Sequence, residues 1–408
     1  MKFHEDQAKR PPLWHNKNYV LLLGGQVVSF IGNQQQFLAL PLFILATTGS
    51  AVQAGLTIGL NAVAMIVVSP IAGVLVDRWN RKVTMIVCDS GRALFALVIP
   101  AAFWLHILTM PLIYLVVILA SILGAIFNVA NAAALPDVVA QEQLPLALSQ
   151  SQAAYTCVRV AGSLIGGALY SLGKVIPFLA NAFSFGVSVL SLRLIRGNFR
   201  DSQQEARQPF RQAIIEGFSW LWKQPLLRFL TLVNGADSLR YGAGYLLILI
   251  LAKNLHASPS GIGAIFTAAG IGALLGNLAS NWTRKRFRFG TIAICTLWLE
   301  ALMFPLYAIA PTLLIMALVA AAEEFIAPIY TISLDTYRLM ATPASMRGRM
   351  SSTVQLVMQG SQSLGAILGG ILIQTIGAKD STLLFGAWLM ILALVTTLNT
   401  RIRRASLP

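Results

Sequence analysis

The sequence predicts an all-α polytopic membrane protein in which twelve transmembrane helices form two six-helix bundles. Its composition, its count of apolar stretches and an internal repeat carry that expectation. Of 408 residues, 56% are hydrophobic and only 11% are charged, whereas about a quarter of an ordinary water-soluble domain is charged. Mean hydropathy is +0.71. The apolar residues run from end to end, which suits spanning helices better than a barrel, whose alternating polar positions keep the average low. Soluble enzymes and secreted domains are thereby excluded.

A spanning helix needs about 20 mostly apolar residues. Stretches of that length fall at 19–46, 52–76, 83–105, 111–134, 147–171 and 176–196, and then at 226–252, 259–281, 290–309, 312–335, 348–376 and 382–400. The polar segment 1–18 precedes an apolar run too long for a cleavable signal, so that run is expected to remain as a membrane span. The longest non-apolar stretch divides the chain into an N-terminal bundle at 1–196, a cytoplasmic linker at 197–225 and a C-terminal bundle at 226–408. Within the linker, 213–223 places Ile214, Phe218, Leu221 and Trp222 on one helical face, the pattern of a short amphipathic helix at the inner membrane surface. A solvated polar connector is the competing reading.

The net charge of +15 sets topology rather than nucleic-acid binding. With both termini inside, the cytoplasmic ends and loops collect Lys2, Lys9, Arg10, Lys17, Arg78, Arg81 and Lys82, the basic residues from Arg193 to Arg228, the run Arg284 to Arg288, and Arg338, Arg347, Arg349, Arg401, Arg403 and Arg404. Only Lys174, Lys253 and Lys379 fall outside, while Arg92, Arg159 and Arg240 lie within spans. Such an imbalance puts both termini in the cytoplasm. Cys88, Cys157 and Cys295 lie in apolar stretches without metal-ligand spacing, so neither a disulfide framework nor a metal site is expected.

The repeat has one offset. Gly73-Val-Leu-Val-Asp77-Arg78-Trp79-Asn80-Arg81-Lys82 aligns with Gly276-Asn-Leu-Ala-Ser280-Asn281-Trp282-Thr283-Arg284-Lys285, a shift of 203. Gly162-Ser-Leu-Ile-Gly166-Gly167 aligns with Gly365-Ala-Ile-Leu-Gly369-Gly370 at the same shift. Two matches at one offset argue for duplicated halves of like orientation, related by an axis along the membrane normal.

The pattern Gly-x-x-x-Asp-Arg-x-x-Arg-Lys at 73–82 resembles the loop motif of the major facilitator superfamily, with Asn80 where the family usually has Gly. Gly162 to Gly167 is similar to the Gly-Pro-x-x-Gly-Gly core of the family's antiporter motif, with Ser163 in place of Pro. The segment from Ala134 to Val139, followed by Glu142-Gln143-Leu144 and Ala147, is similar to the branch of macrolide efflux pumps and the enterobactin exporter. The Arg found in the fourth span of many proton-coupled drug exporters is absent, and Arg159 in the fifth span is the candidate to share its role. The resemblance implies the major facilitator fold, with the first, fourth, seventh and tenth spans lining a central cavity. It also implies that Gly73, Asp77 and Arg81 latch one conformation, with Arg347 or Arg349 ahead of the eleventh span as a partner. It places the glycines of the fifth span against the eighth, and those of the eleventh against the second. Simple charge anchoring is the competing account of Arg78, Arg81 and Lys82.

Charges deep in a bilayer usually face a wet cavity or a partner. Asp237, Glu323 and Glu324 are therefore the proton-coupling candidates, with Arg159 beside them. Asp237 and Arg240 (i,i+3) could instead be a self-neutralising pair that fixes packing, and Asp89 with Arg92 reads as such a pair. Glu300, on a span that is peripheral in the family, is expected to serve packing. For substrate contact the candidates are Asn33, Gln36 and Phe37 on the first span, Asn128 and Asn131 on the fourth, and Tyr241 and Tyr245 on the seventh. Interhelical hydrogen bonding competes for every amide. Gly162, Gly166, Gly167, Gly365, Gly369 and Gly370 permit close helix approach.

No nucleophile triad, His cluster or phosphate loop occurs, so no enzyme chemistry and no cofactor are expected. The favoured function is secondary active transport in a bacterial cytoplasmic (inner) membrane, with proton-coupled efflux of a small amphiphilic drug or siderophore-like compound by a monomer surrounded by lipid. A proton or ion symporter for uptake, a non-transporting membrane sensor and a lipid translocator are the alternatives. Nucleic acid is not an expected partner.

Overall fold

A computed structural model describes residues 12–76, 78–196, 210–403 and 405, without the side chains of 74 and 210–214. Asp77, Lys2, Lys9, Arg10 and Arg404 thus lie outside the described residues. All regular structure within them is helical. The first six helices are α1 (Lys17–Thr48), α2 (Ala51–Val76), α3 (Arg81–Trp104), α4 (Met110–Val138), α5 (Leu144–Leu172) and α6 (Ile176–Leu194). After the linker helix α7 (Phe210–Lys223) come α8 (Pro225–Asn254), α9 (Pro259–Arg286), α10 (Phe289–Met303), the short α11 (Leu306–Ile309), α12 (Leu313–Ala341), α13 (Arg347–Ile376), α14 (Ala378–Leu398) and the terminal turn α15 (Thr400–Arg403).

Each expected span has its helix, the ninth being split into α10 and α11. Among the described residues, ten helical segments are long and apolar enough to cross a membrane. The other two, α5 and α8, have ample length at 29 and 30 residues but are more polar. They carry Gln150, Gln152 and Arg159, or Asp237 and Arg240, which lowers their apolar content.

Local chemistry sets the helix ends. Asn80 caps α3 by accepting from the Val83 N–H at 3.2 Å, so the residue that departs from the family's Gly acts as an N-cap. Ser258 and Thr312 cap α9 and α12 in the same way. Gly49 (φ 69°) and Gly377 (φ 87°) sit between α1 and α2 and between α13 and α14, in the left-handed region that a side chain rarely adopts. Pro305 follows the end of α10, where a residue without an N–H cannot continue the ladder.

The chain forms two compact units. Unit 1 comprises 1–39 and 64–206; unit 2 comprises 40–63 and 207–408, so the far end of α1 and the first half of α2 group with the C-terminal helices. In unit 1, α3 packs against α4 and α6. In unit 2 the main pairs are α9 with α12 and α8 with α13, while α10 packs on both α12 and α14. The start of α2 is held within unit 2 by Gln374 of α13, whose Oε1 accepts from the Ala51 N–H at 3.1 Å and from the Ser50 hydroxyl at 3.4 Å.

Glycine permits the closest approaches. Gly272 and Gly276, one turn apart on α9, lie directly against the backbone carbonyls of Ala321 and Phe325 on α12. Gly242 of α8 meets the Gln362 carbonyl of α13, and Gly365 of α13 meets the Leu239 carbonyl of α8. These contacts set the positions of the two helices, α8 and α12, that carry the deepest charges. Gly272→Val should force α9 from α12 and cost about 1–3 kcal/mol, the usual range for overpacking a core. Gly360→Ala, where an added Cβ meets nothing within 4 Å, should leave the melting temperature in detergent unchanged or slightly raised.

The duplication extends to contacts. In unit 1, Arg81 donates to the Ala133 carbonyl at 3.0 Å; in unit 2, Arg284 donates to the Thr336 hydroxyl at 3.0 Å. Both donor and acceptor positions are shifted by 203.

Candidate functional site

The densest polar cluster of unit 2 is built around Arg240, 4% exposed on α8. Asp237 lies one turn earlier on the same helix face, and its Oδ1 is 2.9 Å from Arg240 Nη2. Glu300 of α10 places Oε2 3.5 Å from the same nitrogen. Glu323 of α12 takes the other arm, with Oε1 paired to Nη1. Three helices thus bring three carboxylates to one guanidinium, whose planar fork can serve several acceptors at once. Because α10 stops before Pro305, the chain turns there and Tyr307 of α11 reaches Glu323, donating to its Oε2 at 2.9 Å. Phe304, in the same turn, puts its ring 5.1 Å from the guanidinium carbon. Glu323 and Glu324 point about 100° apart. Glu324 turns to Tyr241 of α8, which donates to it at 3.0 Å.

In unit 1, the buried Asp89 pairs with the half-buried Arg92 at 3.1 Å within α3. Arg92 Nη2 also donates to Asn33 of α1 at 2.8 Å, and the guanidinium lies 4.2 Å from the Phe185 ring of α6. Gln26 bonds Asn131 of α4 and accepts from the Tyr155 hydroxyl of α5 at 2.8 Å. Gln36 accepts from Asn181 of α6. Amides of α1 therefore tie it to α3, α4, α5 and α6. A multi-span helical chain with ion clusters sunk in apolar helices points to a membrane carrier, and a comparison of families decides which. The family model described as Major Facilitator Superfamily matches residues 22–239 and 235–406.

The chain belongs to the major facilitator superfamily.

Relatives of this facilitator include the multidrug efflux pump Tap of Mycolicibacterium fortuitum, 25% identical over 98% of each chain. Another is the enterobactin exporter EntS of Salmonella typhimurium, 28% identical over 82% of this chain and 80% of that one. Among solved structures, the nucleoside transporter NupG aligns with a TM-score of 0.79 at 14% identity, covering 95% of this chain and all of that one. A bacterial homologue of the iron transporter ferroportin aligns with a TM-score of 0.74 at 16% identity, covering 93% of this chain and 98% of that one. At these identities the structures speak for the fold alone. The facilitator is a multi-pass membrane protein for small molecules, and its relatives and fold are those of transporters rather than enzymes.

Within the facilitator, Asp237 and Glu323 meet on Arg240, whereas Glu324 stands one helix face away on Tyr241. Arg159 is on the exposed face of α5 in unit 1 and forms no ion pair among the described residues. Three of the amides expected to contact substrate are engaged across helices: Asn33 with Arg92, Gln36 with Asn181 and Asn131 with Gln26. Phe37, Asn128 and Tyr241 are exposed, and Tyr245 is half-buried, stacked 4.7 Å from Phe266. Gly162 and Gly166 lie against Gln34 and Gln35 of α1, a packing inside unit 1. Gly365 and Gly369 face Leu239 and Ala243 of α8, while Gly370 meets Ala51 of α2. Gly167 is buried.

Of the latch candidates, Gly73 lies half-buried in the last turn of α2 and Asp77 lies outside the described residues. Arg81 pairs with Asp137 of α4 at 2.8 Å. Arg347 donates to the Thr342 carbonyl at 3.2 Å, and Arg349 pairs with Glu216 of the linker helix. That helix packs through Gly217 onto Arg349 and Thr353 and buries Leu221, while Ile215, Phe218 and Trp222 stay exposed.

Sequence reasoning set Glu300 aside and missed Tyr307. The span of Glu300 is peripheral in the family, yet α10 packs on α12 and turns the Glu300 carboxylate inward. The signal for Tyr307 was Pro305, which breaks the ninth span two residues earlier.

Proposed function

We propose that this facilitator is a proton-coupled exporter of small amphiphilic compounds, drug-like or siderophore-like, working by alternating access from a bacterial inner membrane with both termini in the cytoplasm. The observation that carries the coupling is the stoichiometry at Arg240, where Asp237, Glu300 and Glu323 converge on one guanidinium. Fully ionised, that cluster holds a surplus of negative charge where charge is costly, so it has a reason to take up a proton and a place to release one. Arg240 holds the carboxylates together, Glu323 exchanges the proton, and Tyr307 and Tyr241 orient Glu323 and Glu324. Arg159, exposed in unit 1, is the candidate to take part of the role of the Arg that the fourth span lacks.

Outward direction is supported by Tap and EntS, which are named as an efflux pump and an exporter. The basic ends and loops support the orientation. For substrate contact the remaining candidates are Phe37 and Asn128 in unit 1 and Tyr241 and Tyr245 in unit 2, aromatic surface with few polar points.

The test is transport of a fluorescent amphiphile such as ethidium in inverted vesicles with an imposed pH gradient, interior acid. Accumulation that collapses with the gradient is the expected result. Accumulation that persists unchanged without a gradient overturns the coupling, and movement only in the opposite sense makes the protein an importer.

A further inference from the structure

Between the Arg240 cluster and the basic end of α12 lies a second set of buried polar groups that the cluster does not use. The Tyr330 side chain on α12 is 4% exposed, and its hydroxyl has no hydrogen-bond partner. Arg338, eight residues on, is equally buried. Its Nη1 holds Asp335 at 3.3 Å, while Nε and Nη2 have no partner. The Asp335 side chain is 59% exposed, so this pair links the buried zone to the protein surface near the end of α12. Tyr330 follows Glu323 by seven residues, two turns or about 10 Å along one helix face. Its hydroxyl stands within electrostatic reach of Asp237 on α8, Glu300 on α10, and Asp335 and Arg338 on α12. Apolar groups enclose it: Leu230, Phe289, Leu334, Ile402 and Ala405 pack in one core with Tyr330, and the Gly290 N–H donates to the Ala405 carbonyl at 3.1 Å. The Thr231 hydroxyl of α8, beside Leu230, is likewise buried without a partner.

Packing does not account for these groups. A buried hydroxyl or guanidinium N–H without a partner is destabilising, and Phe at position 330 would fill the same volume without that penalty. Small buried polar zones of this kind are satisfied by ordered water, which bonds two or more such groups at once.

We propose that the Tyr330 hydroxyl and the Arg338–Asp335 pair form the inner leg of the proton path, joining the Asp237–Glu300–Glu323 carboxylates to water at the basic end of unit 2. The inference rests on the proton-coupling reading above and adds the route to it. In the release direction, the O–H bond of a protonated carboxyl of the cluster breaks and its proton passes to a water bonded to Tyr330. The Tyr330 oxygen accepts one proton as its own O–H donates another to the next water, so the phenol ends unchanged. The Asp335 carboxylate accepts the proton from the last water and yields it to bulk. Arg338 keeps its protons throughout. Its charge fixes Asp335 and orients the waters on Nε and Nη2.

The experiment uses the full chain in proteoliposomes with ethidium as probe. It measures gradient-driven uptake beside ethidium–ethidium exchange at equal pH, which needs no net proton movement. Tyr330→Phe should slow gradient-driven uptake about a hundredfold, roughly the lower bound for losing a positioned proton-transfer group. Exchange should stay within about twofold, and the melting temperature should not fall. Asp335→Asn should show the same split. If Tyr330→Phe leaves both rates at the wild-type value, or lowers both together, the route is wrong while proton coupling stands. If wild-type uptake ignores the gradient, the coupling reading itself fails, and the route with it.

Discussion

Arg240→Ala is expected to leave little folded protein and no gradient-driven transport. The substitution removes the guanidinium that Asp237, Glu300 and Glu323 share. Glu300 and Glu323 are 2% and 6% exposed, so water cannot replace the lost partner. Breaking a buried ion cluster by deleting one partner typically costs about 3–5 kcal/mol, because the charges left behind remain desolvated. A loss of that size is a large part of the total stability of a domain. Thermal unfolding and gel filtration in detergent measure the fold. Arg240→Lys should fall between the two, because an ammonium is a point charge and cannot serve three carboxylates in one plane. Combining Arg240→Gln with Asp237→Asn, Glu300→Gln and Glu323→Gln removes the charges together and should restore folding without restoring coupling. Wild-type melting of Arg240→Ala would mean that the three carboxylates do not depend on it.

Glu323→Gln should keep the fold and lose the coupling. The amide oxygen can still accept from Arg240, the amide N–H can donate to the Tyr307 oxygen, and the amide keeps the shape of the carboxyl while giving up its titrating proton. With one proton exchanged per substrate, a gradient of about one pH unit sustains roughly a tenfold concentration ratio, each factor of ten being ~1.4 kcal/mol. In Glu323→Gln that ratio should fall to about one, while downhill movement of ethidium continues. Fluorescence in vesicles at a fixed gradient reads both quantities. A variant that still concentrates ethidium would move the proton site to Glu300 or Asp237. Glu324→Gln, which alters the partner of Tyr241 instead, should have the smaller effect.

The chain's own order of residues determined the spans, the linker and the duplication. An apolar run of about 20 residues has few other stable homes, and hydrocarbon compels the backbone of such a run to satisfy its hydrogen bonds as a helix. Asn33, Gln36, Asp237 and Glu323 stood out for the same reason, being polar groups where polarity is expensive. What each one touches was not legible there. Asn33 and Gln36 were as suited to a ligand as to a neighbouring helix, and only the packing of α1 against α3 and α6 assigned them to Arg92 and Asn181.

The same holds for the charge cluster. Asp237 and Arg240 are one turn apart and were readable as a pair, but Glu300 and Glu323 lie 60 and 83 residues from Arg240 and reach it through the packing of α8, α10 and α12. Nor does the pattern of α12 say that the Tyr330 hydroxyl ends without a partner. Hydropathy is a property of each residue and its close neighbours, so it can be read along the chain. A hydrogen bond between helices depends on rotation, depth and distance of approach, and glycines such as Gly242, Gly272 and Gly365 set these against another backbone far away in sequence. That is why the fold was written in the sequence, while the partners within its polar clusters were decided only by the tertiary structure.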